Sequence, residues 1–325
     1  MTLAETLVEV IGLTKSFGAI KAVDNISLSV NRGEVLGFLG PNGAGKSTSM
    51  KMITGFLTPT SGTIKISGND ISVNPIEAKA SIGYLPEGAP AYGEMTPLNF
   101  LSFIAEVRGI EKSARLSKVD EIINKIHLER VAYQPIDTLS KGFKRRVGIA
   151  QAILHDPEIL ILDEPTDGLD PNQKHEIRAL IKEMAAEKAI LISTHILEEV
   201  ESVCTKAIII SNGGVIFSGS PLELSSKSRY HNAITLVINN KDAKKSTKIL
   251  EELEEVRTIE HISEAELTRV TLIPQSSEIE ISSLVKAKMA DYECEILQLY
   301  IEPGRLDEVF RSLTNQHKSG EVIRS

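Results

Sequence analysis

Two cysteines in 325 residues, Cys204 and Cys294, lie far apart with no paired spacing, which argues against a disulfide framework and a thiolate metal site. A surplus of positive charge is also missing. Lys and Arg number 36 against 44 Asp and Glu, a formal net charge of −8, so no nucleic-acid partner is expected. The opening MTLAETLVEV lacks the basic start and apolar run of a secretory signal. No apolar stretch approaches the ~18–20 residues that a membrane span needs. The expectation is a cytoplasmic chain that reaches any membrane through a partner. What remains is ordinary globular material, 42% hydrophobic and 25% charged, long enough for two domains.

Periodicity divides the chain near residues 220–230. Before that point, short apolar runs at 35–39, 159–162, 189–193 and 206–210 alternate with helical stretches. This is the pattern of an α/β domain whose largely parallel sheet is covered on both faces. Residues 8–14 and 26–30 alternate instead and, with Asn31-Arg32-Gly33 as a turn, are expected to form an antiparallel flank on that sheet. A mostly helical insert spans about 94–135. Thr96-Pro97 suits a helix start, running to Arg108 and stopping at Gly109. A second helix begins near Ser113, with Val119, Ile122, Ile123 and Ile126 at helical spacing.

The break falls at Ser220-Pro221 and the polar stretch 225–229. Beyond it the pattern predicts strand 233–238, helix 243–253, strands 256–260 and 269–273, helix 279–289, strand 293–300 and a closing helix 306–313. That order suits a small split βαβ domain. His231 and His261 sit in polar surroundings and read as surface residues.

Gly40-Pro41-Asn42-Gly43-Ala44-Gly45-Lys46-Ser47 satisfies G-x-x-x-x-G-K-[ST], after an apolar strand and before a helix-compatible run at 46–53. The glycines let the backbone curl so that successive N–H groups point at phosphate oxygens. The helix N-terminus adds partial positive charge. Lys46 is expected to reach the β- and γ-phosphates and the Ser47 hydroxyl to ligate Mg²⁺, with Thr48 closing the nucleotide-binding stretch.

The apolar run at 159–162 ends in Asp163-Glu164. Two carboxylates at a buried strand end repel each other unless a cation or a protonated partner sits beside them. At the carboxyl edge of a parallel sheet, with this strand beside the phosphate loop, the economical cation is Mg²⁺. Asp163 is assigned to the metal and Glu164 to polarising the attacking water. Asp170-Pro171 then opens a helix to about Glu187. The strand at 189–193 leads to Thr194-His195, and a histidine at a third strand end on that edge is expected to contact the γ-phosphate.

Together these residues resemble the ABC transporter ATPases. Leu139-Ser140-Lys141-Gly142-Phe143 is similar to that family's signature motif, and the stretch from Leu160 through Asp163-Glu164-Pro165-Thr166-Asp167-Gly168-Leu169-Asp170 to its Walker B motif and D-loop. The resemblance covers about 6–220 and is nearest to separate-subunit ATPases of exporters for drugs, polysaccharides and gliding-motility components. Leu306-Asp307-Glu308-Val309-Phe310 resembles the close of a C-terminal extension found in such subunits. The resemblance implies an α/β P-loop NTPase core of the ABC type over 6–222, with an antiparallel β flank and a helical subdomain at about 94–155, then a small α+β accessory domain over 225–325. It implies that Phe17 stacks on adenine, that Ser140 and Gly142 bind the γ-phosphate of ATP held by the other subunit, and that Asp170 lies at the dimer seam.

The activity implied is Mg²⁺-dependent ATP hydrolysis that drives a separate multi-span permease. Coupling would run through dimerisation with a second copy or a similar subunit at the inner face of the membrane, with export as the direction. A soluble ABC ATPase acting as an assembly or regulatory factor shares every motif. One phosphate loop, and no long coiled coil or cysteine zinc module, set aside translation-type and DNA-repair members.

Two alternatives stay open in the residues themselves. Lys144, Arg145 and Arg146 are unfavourable for the dipole of the helix running from Ser140 to His155, so either a triphosphate lies nearby or they form a solvated basic turn. Phe17 is alternatively a core or edge aromatic. Two departures from the family stand out. In Gly83-Tyr84-Leu85-Pro86-Glu87, Glu87 occupies the place of the Q-loop glutamine. It joins Glu164 and His195 as a candidate catalytic residue and Ser47 and Asp163 as a candidate Mg²⁺ ligand, while adding negative charge near the γ-phosphate. Lys141 and Phe143 stand where glycine and glutamine are commoner. Residues 88–101, read as exposed and aromatic-containing, are the expected docking surface for a permease.

Overall fold

The computed structural model describes residues 5–89, 91–276 and 279–318. Met1–Ser220 forms one unit and Pro221–Ser325 another. The first unit opens with β1 (Thr6–Phe17), β2 (Ile20–Asn31), β3 (Val35–Leu39) and α1 (Lys46–Ile53). There follow β4 (Ser61–Ile66), β5 (Asn69–Asp70), α2 (Pro75–Ala80) and β6 (Ile82–Leu85). The insert holds α3 (Pro97–Val107), α4 (Lys112–Lys125) and α5 (Lys141–Ile153). The unit closes with β7 (Ile159–Asp163), α6 (Pro171–Ala185), β8 (Ala189–Thr194), α7 (Leu197–Val203), β9 (Lys206–Ser211) and β10 (Gly214–Gly219).

The main sheet is six-stranded, in the order β10-β9-β3-β8-β7-β6. Every neighbouring pair is parallel except β10 on β9. β3, β7 and β8 are buried along their whole length, as continuous apolar runs between two layers must be. The antiparallel strands flank this sheet as expected, as a layer of their own. β2-β1-β4-β5 is a separate sheet, and its Val8, Val10, Leu13 and Ile26 share one core with Leu36, Phe38, Ile161 and Leu191 of the main sheet. Each such Leu or Ile contributes about 1.5–3 kcal/mol on burial, so the shared core holds the two layers together.

The insert follows its caps. Thr96 accepts the Asn99 N–H at 3.3 Å and Pro97 takes the first helical position of α3. Arg108 caps the other end, before Gly109 turns out of the helix with φ +74°. Val119, Ile122 and Ile123 form the buried stripe of α4, and its C-cap Ile126 continues it.

The second unit contains α8 (Pro221–Ser225), β11 (Ile234–Asn239), α9 (Asn240–Leu250), β12 (Val256–Glu264), β13 (Leu267–Pro274), α10 (Ser282–Asp291), β14 (Gln298–Ile301) and α11 (Leu306–Lys318). Its sheet runs β12-β13-β11-β14 with every neighbour antiparallel, which is two interleaved βαβ halves. Ile234, Leu236, Leu250, Val270, Leu272, Val285 and Met289 make its core. β14 is shorter than 293–300, because Glu293 takes φ +53° and pairing with β11 begins only at Gln298. The sequence reading of a helix over 279–289 becomes α10 from Ser282; residues 277 and 278, just before that range, lie outside the described residues. His231 is anchored rather than free, its Nδ1 2.7 Å from the Pro303 carbonyl oxygen, and His261 is exposed.

Candidate active site

Beyond Leu39 the chain curls from Gly40 to Gly45 and enters α1. Gly43 and Gly45 have φ of +80° and +108°, where side chains with a Cβ are strained. Space makes the same demand. A Cβ on Gly40 would lie 2.5 Å from the Ile210 carbonyl oxygen, and one on Gly45 the same distance from that of Ala22. Inside the curl, Lys46 Nζ donates to the carbonyl oxygens of Gly40 at 2.7 Å and Pro41 at 3.3 Å. Burial pushes this ammonium below the usual lysine range, and Glu164, Asp163 and Glu87 oppose the shift. Asn42, Gly43, Gly45, Lys46, Ser47 and Thr48, with Ala22, Glu87 and Glu164, line an open cavity of about 260 Å³.

β3 is flanked by β8 and β9 and not by the acidic β7. The strand ends nevertheless meet, because parallel strands present all their carboxyl ends at one edge. Glu87 follows β6, Asp163 ends β7, and His195 follows β8. The intervening strand supplies a tie: the Ser193 hydroxyl donates to Asp163 Oδ1. Asp163 is 1% exposed, and its Oδ2 is buried with no hydrogen bond. Leaving such an oxygen unpaired costs about 1–3 kcal/mol or more, so it suits a cation. Glu164, with φ +50° and its side chain 13% exposed, places Oε2 2.9 Å from His195 Nδ1. The imidazole is half exposed and orients the carboxylate towards the cavity that Glu164 lines.

The oxygen donors Ser47, Asp163 and Glu87 fit Mg²⁺, which keeps waters and substrate phosphates in its shell. Among the described residues no three His, Cys, Asp or Glu converge as an all-protein cage requires. Further polar groups here were not singled out from the sequence. Ser193 is one, and its signal is a hydroxyl closing an otherwise apolar strand. Tyr84 and Thr166 are two more, each with a buried hydroxyl that lacks a partner. Burial, with Asp163 and Glu87 nearby, pushes the Tyr84 phenol up to about 12.

Ser140, Gly142 and Asp170 do not line this cavity. They gather where α5 and α6 begin. Ser140 caps α5, its hydroxyl accepting the Phe143 N–H at 3.4 Å. Gly142 is buried against Gln173, whose Oε1 would lie 2.4 Å from a Cβ. Asp170 caps α6 and accepts the Gln173 N–H at 2.9 Å. Phe17 is an exposed edge aromatic at the end of β1, with Lys15 Nζ 5.2 Å above its ring.

The basic trio is not a solvated turn. Lys144 donates to the Asp137 carbonyl oxygen at 2.9 Å. Arg146 donates to that of Ile126 at 2.9 Å and pairs with Glu176. Arg145 is 6% exposed and its Nη1 makes no hydrogen bond. Burial pushes its guanidinium below the usual range, while Asp167, Glu164, Asp163 and Glu87 oppose this. Segment 88–101 is only partly exposed, since Phe100 and Leu101 are core residues of the insert. Tyr92 is exposed and makes edge contacts with Phe100 and Phe103, at 6.2 and 5.8 Å between centroids. Pro90 lies outside the described residues.

An anion cradle of main-chain amides at the same sheet edge as a buried carboxylate with an oxygen to spare defines the class: a P-loop nucleoside triphosphatase. Comparison with known proteins goes further. A family model described as ABC transporter matches residues 23–167. The chain is 39% identical over 229 residues to the uncharacterized ABC transporter ATP-binding protein YxlF of Bacillus subtilis (strain 168), covering 70% of this chain and 76% of that one. To the linearmycin resistance ATP-binding protein LnrL of the same organism it is 30% identical over 308 residues, 94% of this chain and 97% of the relative. A solved ATP-binding subunit of an ABC transporter superposes with a TM-score of 0.62 at 33% identity, covering 67% of this chain and 91% of that one. The chain belongs to the ABC transporter family as an ATP-binding, ATP-hydrolysing subunit.

Proposed function

We propose that two copies of this chain, or this chain and a similar subunit, close over two ATP molecules and drive a separate multi-span permease, with export as the direction. The carrying observation is the pair of neighbouring carboxylates with different surroundings: Asp163 has an oxygen free for a cation, and Glu164 is held 2.9 Å from His195. In this reading the amides of residues 40–45 and the Lys46 ammonium grip the phosphates. Ser47, Asp163 and Glu87 hold Mg²⁺, which when bound neutralises phosphate charge. Glu164 orients the attacking water and takes its proton, while His195 fixes that carboxylate and turns its exposed edge to the γ-phosphate. Phe17, exposed, offers its ring to adenine. Ser140 and Gly142 serve the nucleotide of the partner subunit, and Asp170 lies at the seam.

Export is supported by LnrL, a resistance protein by name. Among the described residues no helix is long and apolar enough to cross a membrane, so attachment to the inner face would run through the permease. The test is Glu164→Gln. It should bind ATP and accumulate as a dimer in ATP and Mg²⁺, with turnover lowered by about 10²–10⁴-fold. Unchanged turnover removes Glu164 from the base role, and an ATP-loaded variant that stays monomeric by sedimentation refutes the sandwich. The native chain should copurify with a multi-span membrane protein, and repeated isolation without one would favour a soluble factor.

A further inference from the structure

Burying a guanidinium with a donor unmet is costly, because the group stays charged and loses its water. Arg145 is buried in this way, with Nη1 unpaired. An apolar side chain would fill the same space without the cost, so packing alone does not account for it. Two observations bear on its surroundings.

Gly148, three residues on and on the same face of α5, presses against the loop after β6. A Cβ there would lie 2.6 Å from Leu85 Cδ1 and 2.9 Å from Ala89 Cβ. Arg145 lies one turn earlier on this packed side of α5, and Glu87, on the loop after β6, is one of the carboxylates whose charge reaches it. The second observation is a group of unmet polar atoms in the same region: Asp163 Oδ2, Thr166 Oγ1 and the Tyr84 hydroxyl are all buried without partners. Four carboxylates act on Arg145, one from the loop after β6 and three from the end of β7 onward. Lys46 supplies the opposing charge from the phosphate-loop side, and Arg145 supplies it from the helical insert.

We propose that Arg145 is a positioning residue: an internal counter-ion that holds the Glu87 turn and the Asp163–Asp167 loop at one spacing. It thereby ties the nucleotide site of this chain to the helix whose first turn presents Ser140 and Gly142 to the partner subunit. This deepens the function proposed above and rests on it for the roles of Ser140 and Gly142. Glu87 and Glu164 line the nucleotide cavity and Asp163 ends the strand at the same edge. These carboxylates repel a triphosphate, and a buried cation near them lowers that repulsion before any divalent ion arrives.

The test is calorimetric titration of the full chain with ATP in EDTA, where turnover contributes nothing. Arg145→Gln should weaken binding about tenfold, equal to about 1.4 kcal/mol. Arg145→Lys keeps the charge and should stay within about twofold. Adding Glu87→Gln or Asp167→Asn to Arg145→Gln should restore most of the loss. Equal losses in the Gln and Lys variants, or additive losses in the double variants, overturn the proposal. If Arg145→Gln does not fold, the double variants decide: folding and binding near wild type support the counter-ion, and failure to fold overturns it. A wild-type chain that binds no ATP in EDTA or in Mg²⁺ would refute the nucleotide site itself, a separate result.

Discussion

Methionine at position 46 keeps the length and apolar stem of the lysine and deletes its charge. In the folded loop the ammonium donates to two neutral carbonyls, at 2.7 and 3.3 Å. A triphosphate offers anionic oxygens in their place. Each hydrogen bond to a charged group contributes about 1.5–3 kcal/mol, so losing two costs about 3–6 kcal/mol, or ~10²–10⁴ in affinity. Without nucleotide the balance reverses. Burial lowers the pKa of Lys46 despite three nearby carboxylates, so the folded loop disfavours its charge. Lys46→Met should therefore melt no lower than wild type when free of ligand.

The sign with pH follows. Between the lowered folded pKa and the ordinary lysine value, the unfolded chain holds the extra proton, so wild-type stability rises with pH across that window and the variant lacks this rise. Thermal melts from neutral pH to about pH 10, with and without ATP, measure both effects, because a ligand that binds only the folded state raises the melting point. Two results would refute the reasoning. One is a variant that ATP stabilises as strongly as wild type. The other is a ligand-free variant that melts more than about 4 °C lower, roughly 1–2 kcal/mol at this size.

Gly83→Ala places a Cβ 2.1 Å from the Ala152 carbonyl oxygen, a backbone atom with little freedom to move. Overpacking of about 1–3 kcal/mol should lower the melting temperature by roughly 2–12 °C, and an unchanged melt contradicts this close approach of β6 to α5. Burial and the neighbouring Arg108 push His155 down to about 4, while its Nε2 lies 3.1 Å from the Ile82 carbonyl oxygen. The unfolded chain protonates first, so wild type should lose stability from about pH 6.5 towards 4 relative to His155→Asn. Parallel denaturant midpoints at pH 7 and 5 would dismiss that role.

The strand–loop–helix around Gly40 to Ile53 was legible because each of its signals is local: an apolar run, glycines where φ is positive, then Lys-Ser at a helix start. The split βαβ order of the second unit was legible from alternating periods. Sheet partners were not. β4 binds β1 across two intervening strands and a helix, and β6 is four residues long with a glycine inside it, so neither leaves a clear pattern. The placing of β8 between β3 and β7 is a property of the assembled sheet. Arg145 and Arg146 illustrate the same limit in the site. In sequence three successive basic residues leave a nearby triphosphate and a solvated turn both open, and only the tertiary fold supplies Glu176, the Ile126 carbonyl and the acidic turns.

The absence of a side chain at Gly142 has a mechanical consequence. The Gln173 amide lies where a Cβ would be, and Gln173 is in turn tethered by Asp170. The leading turns of α5 and α6 thus meet through one side-chain amide laid on a bare stretch of backbone. A push delivered to the insert would therefore reach the start of α6 through that amide, so a neighbouring molecule touching Ser140 would also sense the turn that Asp170 caps.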